Sequence, residues 1–192
     1  GGDGSKALVL TKNGVTLIDL KGQRSKKVID PEGAWGGKIR YYAGNVYLAD
    51  SEEVWKYPAV DEGYGKRRRY FGVGVVPPMA EVVDFEIDGS VWLLYRTGEI
   101  KKFERGAGVE FKTEELVDGW GEAVTMAVEQ EGNKLFVLDK AKGRVVAFDK
   151  ETGEYLGIYK WEGFKEITGM VVDEKNNRLV VGKGGELWEV GL

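Results

Sequence analysis

The chain has no histidine and no cysteine. Those two absences remove the Ser-His-Asp triad, Cys-His pairing, imidazole or thiolate metal ligation and the disulfide. Imidazole switching near neutral pH goes with them. Proline is scarce, at four in 192 residues, so the 29 glycines do not belong to a Pro/Gly-rich disordered composition. No apolar run approaches the ~18 residues of a membrane-spanning helix. Neither charge sign dominates: 28 Lys and Arg stand against 32 Asp and Glu, for a formal net charge of -4. That balance argues against nucleic acid as a partner, because phosphate binding needs a concentrated basic face. What remains for chemistry is carboxylates, Lys, Arg, Tyr, hydroxyls and backbone. No cofactor and no metal is expected.

What is present points to many short strands. The hydrophobic fraction of 42% and the charged fraction of 31% suit a globular chain. Glycine at about twice its usual ~7% share, together with abundant Val, Tyr and Trp, suits strands joined by tight turns. Residues 1–5 read as a flexible lead-in or a cloning scar, with no signal peptide. The compartment stays open.

The chain repeats. Ala7-Leu8-Val9-Leu10, Asn45-Val46-Tyr47-Leu48-Ala49-Asp50, Ser90-Val91-Trp92-Leu93-Leu94, Lys134-Leu135-Phe136-Val137-Leu138-Asp139 and Arg178-Leu179-Val180-Val181 are short apolar runs. Such runs suit strands buried on both faces. Each is followed, after a turn, by a run in which polar and apolar residues mostly alternate, such as Glu53-Val54-Trp55-Lys56-Tyr57 or Glu99-Ile100-Lys101-Lys102-Phe103. From Leu8 to Val46, Val91, Leu135 and Leu179 the steps are 38, 45, 44 and 44 residues. A period of ~40–50 residues with about four strands per unit is the mark of a β-propeller. The expected fold is therefore all-β: a single five-bladed propeller of about 18 strands with almost no helix.

Blades are expected at about 6–30, 36–71, 81–116, 122–161 and 166–192. Inner strands are expected at 37–42, 82–87, 123–128 and 167–173. Outer strands are expected at 24–30, 66–71, 108–116 and 154–161. The first blade lacks an inner strand and the last lacks an outer one. Residues 60–65 and 72–79 read as the longest irregular loops.

The unit from Ala123 to Tyr159 is the best formed. It carries Leu135-Phe136-Val137-Leu138-Asp139, Gly143-Arg144-Val145-Val146-Ala147-Phe148-Asp149 and Thr152-Gly153-Glu154-Tyr155. This resembles the NHL repeat and related YVTN-type propeller repeats, in which Asp ends the second strand and Arg-Val opens the third. The resemblance implies a module that binds proteins, peptides or RNA. A minority of such propellers are lyases that depend on metal-binding His, which this chain lacks.

Three connections between blades carry tryptophan: Trp35-Gly36-Gly37, Trp120-Gly121-Glu122 and Trp161-Glu162-Gly163. Two readings stand. Trp35, Trp120 and Trp161 form an aromatic platform at the channel mouth, with Arg96 and Lys142 as its polar rim. Alternatively each Trp wedges between blades as core. Trp55, Trp92 and Trp188 read as core. Lys38 and Arg40 on one inner strand, and Asp84 and Glu86 on the next, share a side by the period of two and read as channel charges that neutralise one another. Lys66-Arg67-Arg68-Arg69 reads as a solvated edge strand, with a local contact to nucleic acid or an acidic partner as the rival.

The functional expectation is a non-catalytic, monomeric binding module for a protein, peptide or glycan, with neither nucleic acid nor membrane as partner. Two alternatives accompany it. One is a made scaffold without evolved activity. The other is a carbohydrate-active enzyme using Asp84, Glu86 or Glu122, since paired carboxyls are the machinery of glycoside hydrolysis.

Overall fold

The computed structural model describes residues 5–30 and 37–192. They fall into two compact units, Gly1–Tyr70 and Phe71–Leu192.

In the first unit, β1 (Lys6–Thr11), β2 (Gly14–Asp19) and β3 (Arg24–Ile29) make a three-stranded antiparallel blade. The next blade begins with β4 (Lys38–Tyr42), β5 (Asn45–Ala49) and β6 (Val54–Tyr57). A two-stranded hairpin follows, β7 (Ala59–Val60) with β8 (Gly63–Tyr64), and then β9 (Arg68–Arg69) closes the blade against β6. Val15 and Ile29 from one blade and Val46, Leu48 and Tyr57 from the other share a buried cluster.

The second unit holds three blades. The first is β10 (Val82–Ile87), β11 (Val91–Tyr95), β12 (Ile100–Glu104) and β13 (Ala107–Val109). The second is β14 (Ala123–Val128), β15 (Lys134–Asp139), β16 (Arg144–Asp149) and β17 (Tyr155–Lys160). The third is β18 (Ile167–Asp173), β19 (Arg178–Lys183) and β20 (Glu186–Gly191). Among the described residues, helix is confined to three short 3-10 segments, at Met79–Glu81, Glu162–Glu166 and Glu174–Asn176.

The central runs of the three middle blades form strands because almost every side chain in them is buried, whereas Lys6–Thr11 of the first blade, expected to be buried on both faces, is half-buried or exposed throughout. Val91–Tyr95 is buried throughout, as are five of the six residues of Lys134–Asp139. Alternate residues serve different neighbours. Leu135 and Val137 pack toward the preceding blade with Trp92, Leu94 and Ile100. Phe136 and Leu138 pack toward the following blade with Met170, Leu179 and Val181. A strand between two sheets thus needs no polar face.

The five-blade, all-β expectation stands, with three-stranded first and last blades. Two outer strands are shorter than expected. Of 108–116, only β13 is strand. Phe111 leaves the sheet to meet Trp92 edge-on at 5.0 Å, and the Glu114 amide donates to Gly153 O of the neighbouring blade. Of 66–71, only β9 is strand, with the Tyr70 amide also donating to Val54 O at 2.9 Å. Arg67 stacks over Trp55 at 4.1 Å, and Arg69 Nε meets the buried Glu53 at 2.6 Å. The basic run is therefore partly built into its blade rather than wholly solvated. The loop at 60–65 contains the β7–β8 hairpin.

Polar groups clasp blade to blade within residues 71–192. Asp84 on β10 is 1% exposed. Its carboxylate accepts from Thr125 Oγ1 at 2.5 Å and the Met126 amide at 3.1 Å on β14, and from the Phe85 amide at 2.9 Å. Lys150 Nζ, also buried, reaches Asp88 at 3.0 Å and Glu129 O at 2.7 Å. Glu174 accepts the amides of Gln130, Glu131 and Gly132. Burial of Glu174 opposes its charge, but the three amides outweigh it and lower its pKa.

Asp84→Ala leaves Thr125 and the Met126 amide buried without their acceptor. A loss of about 3 kcal/mol is expected in urea unfolding, at about 1–3 kcal/mol per orphaned group. Asp84→Asn, which keeps an acceptor oxygen, should lose less; equal losses for the two variants would refute the clasp.

Candidate functional site

The connection from β13 to β14 is held by a buried ion pair. Asp139 ends β15 with 0% side-chain exposure, Arg144 opens β16 with 2%, and Nε meets Oδ2 at 3.0 Å. Asp139 also accepts the amides of Gly121 and Glu122, the latter at 2.9 Å. Arg144 Nη1 donates to both Asp118 carboxylate oxygens, at 2.8 and 2.9 Å, and Nη2 donates to Gly119 O at 2.5 Å. A guanidinium suits this position because its fixed fork of donors can serve three acceptors at once. Buried charges demand such pairing.

This network arranges the expected site residues. Lys142 Nζ lies 3.2 Å from Asp118 Oδ2 and donates to the carbonyls of Asp118 and Gly119, the latter at 3.0 Å. Arg96 Nη1 meets Glu122 at 3.0 Å. On the far side of the same β15–β16 turn, Gly143 O accepts the Trp161 amide at 3.3 Å. Trp120, Trp161, Arg96 and Lys142 therefore gather along one edge of residues 71–192. Trp35 lies outside the described residues.

Each Trp is half-buried and supported from below. Trp120 lies across Gly98 and tilts onto Phe148 at 6.1 Å. A cleft of about 820 Å³ opens beside it, with Ile100, Lys102, Phe111 and Leu116 in its walls. Trp161 folds over Gly163, meets the buried Phe164 edge-on at 5.4 Å, and tilts against Trp188 at 5.8 Å. Both rings are thus packed against core along part of their surface, Trp161 also against Trp188. The cations Arg96 and Lys142 are engaged locally, by Glu122 and by Asp118.

Hydrogen bonds from Arg144, then Lys142, hold the Asp118 carboxyl at about 2, far below its ordinary range. The carboxylates read as channel charges are differently placed. Asp84 is sealed by its three donors, and Glu86 is buried. Asp84 is therefore not open to act as an acid or base on a sugar. Lys38 and Arg40 are half-buried on β4 in the other unit, where Arg40 Nη1 donates to Ile39 O at 2.9 Å. Of the tryptophans read as core, Trp92 is 1% exposed and Trp55 half-buried, but Trp188 is 43% exposed. Trp188 sits on β20, the last strand of a blade with no fourth strand to cover it.

Sequence reasoning missed two features. One is Asp118, whose role depends on a loop folding back to Arg144; the Asp-ending and Arg-opening strands were the available signal for the rest of that network. The other is Lys183, whose Nζ lies 5.4 Å from the Trp161 ring and 5.8 Å from that of Trp188.

No protein-family model matches the chain, and a search of curated proteins finds no match. Solved structures do match in fold. Hsv2 of Kluyvelomyces marxianus aligns over 96% of this chain and 74% of its own, with a TM-score of 0.59 and 14% identity. The WD40 domain of Pan2 from Neurospora crassa aligns over 80% of this chain and 45% of its own, with a TM-score of 0.53 and 10% identity. At such identities the likeness concerns fold alone. The fold is a five-blade β-propeller with WD40-type structural neighbours, and the NHL-type resemblance stays a matter of repeat pattern.

Gly98 has φ +88°, and a Cβ there would come within 2.4 Å of the Trp120 indole. Gly98→Ala should displace Trp120 and cost about 1–3 kcal/mol. A 5-fluorotryptophan NMR spectrum in which the Trp120 resonance stays put would contradict that support. Asp118 ionises more readily in the folded chain than in the unfolded one. Its contribution to stability is present above the unfolded pKa of 3.8 and is lost as pH falls toward about 2. Arg144→Gln should move the Asp118 carboxyl titration up toward 3.8, as read by carbon-detected NMR.

Proposed function

We propose that the chain is a non-catalytic binding module that recognises a protein or peptide through the edge carrying Trp120 and Trp161. One observation carries this reading. The backbones that carry two tryptophans from equivalent blade connections flank one turn, β15–β16, and each ring is half-buried over core, with a cleft beside Trp120 to which Ile100, Phe111 and Leu116 contribute apolar wall. Large amphipathic rings held rigid in this way lose little entropy when a ligand covers them, which is why Trp is enriched at binding hot spots. Propellers of the WD40 type support an interaction role by analogy of fold. The catalytic alternative finds little support in the carboxylates: Asp84 is sealed, and Glu122 is paired with Arg96.

The test is a panel of peptides and oligosaccharides screened by 5-fluorotryptophan NMR. Ligands that bind should shift the Trp120 or Trp161 resonance, and Trp120→Ala or Trp161→Ala should weaken binding by about thirtyfold, as for a hot-spot aromatic. A bound ligand that leaves both resonances and both variant affinities unchanged would place recognition elsewhere.

A further inference from the structure

The rings of Trp161 and Trp188 open toward a cation that the chain itself supplies. Their centroids are 5.8 Å apart and their planes meet at 42°, so together they form a shallow V. Lys183 Nζ sits in it, 5.4 Å from one centroid and 5.8 Å from the other. Glu166 Oε1 lies 3.1 Å from the same nitrogen. Two indole faces and a carboxylate around one ammonium are a set of groups that binds organic cations, because the negative ring faces and the anion attract charge while the rings take up methyl groups.

Both walls are anchored. Trp161 is fixed by Phe164, which is 0% exposed, and by the absence of a side chain at Gly163, where a Cβ would come within 2.3 Å of the ring. Trp188 stands on β20 in register with the buried Val181. The lysine is not anchored in that way. Both of its ring distances lie near the ~6 Å limit for such contacts. Its side chain is 25% exposed, and that of Glu166 is 65% exposed. A primary ammonium on a flexible four-carbon stem is strongly hydrated, so leaving the V returns it to water at little cost.

We propose that Trp161, Trp188 and Glu166 form a binding site for an alkylammonium group, and that Lys183 is its built-in competitor. The proposal rests on the reading of this edge as a recognition surface and names the ligand chemistry there. A methylated ammonium is favoured over a bare one because methyl groups bury against the rings and its charge is less hydrated. The group is either a small free cation or the side chain of a lysine, methylated or not, carried by a peptide.

The experiment titrates tetramethylammonium chloride, a peptide bearing trimethyl-lysine, and the same peptide with the uncharged isostere 3,3-dimethylbutyl in place of the ammonium. Binding is read by 5-fluorotryptophan NMR at Trp161 and Trp188. Lys183→Ala should bind tetramethylammonium about tenfold tighter than the parent chain, as expected for loss of an occupying cation. Lys183→Gln, which keeps the stem without the charge, should behave in the same direction. Trp188→Ala in the Lys183→Ala background should remove binding, and Trp188 is exposed enough for that variant to fold. Tighter binding of the peptide than of tetramethylammonium assigns the ligand to a protein; equal binding assigns it to a free cation. No binding of either cation by either Lys183 variant, or equal binding of the uncharged isostere, overturns the proposal. A panel ligand that shifts Trp120 while all ammonium probes fail would overturn this inference and leave the binding-module reading in place.

Discussion

Successive blades in residues 71–192 are tied by carboxylates, the most deeply buried of them Asp84, whose oxygens are spent on donors from a neighbouring blade. Asp84 takes a hydroxyl and an amide from β14, Asp88 takes the Lys150 ammonium, and Glu174 takes three amides of the β14–β15 turn. A chain without cysteine or histidine has neither disulfides nor imidazole–metal links to do this. Carboxylate oxygens are strong acceptors with room for several donors, and inside a protein such bonds are stronger than in water. The apolar faces supply most of the driving force for packing. The carboxylates fix which residue of one sheet lies against which of its neighbour, because a one-step slip would bury a charge without partners.

The same economy shapes the candidate site. Asp139, Arg144 and Asp118 are consumed in pinning the connection at 117–122, and Lys142 and Arg96 add to that work at the surface. The charges that stay exposed there are paired, Arg96 with Glu122 and Asp118 with Arg144 and Lys142. Beside them the edge presents aromatic area backed by core. Trp120 rests on Gly98 and Phe148, and Trp161 rests on Gly163 and Phe164.

Much of this was legible in the sequence, and the reasons are local. The central strands announce themselves because both of their faces are buried, so Val91-Trp92-Leu93-Leu94-Tyr95 carries no polar alternation. Inner strands at 82–87, 123–128 and 167–173 coincide with expectation because each precedes such a run by one turn. Outer strands were less legible. They lie at the rim, where ladder bonds compete with side-chain contacts. Phe111 abandons β13 for Trp92, and Arg67 and Arg69 are drawn to Trp55 and Glu53. Exposure was also misjudged where a missing neighbour decided it. Trp188 repeats the position of Trp55 yet stands open, because β20 has no strand beyond it.

By itself the sequence determined the class of chemistry and the architecture. Two absent residue types excluded imidazole and thiolate chemistry, and a ~44-residue repeat of short apolar runs specified blades. It also marked Trp120 and Trp161 as equivalent. Only the tertiary structure decided what those residues meet. Asp84 was legible as a charge on an inner strand, but its closure by Thr125 depends on a contact 41 residues away. Lys183 ends a strand, and folding set it between Trp161 and Trp188. Periodicity is written in neighbouring residues and can be read along the chain. The pairing of a charge is written in distances across it, and those exist only once the sheets have packed.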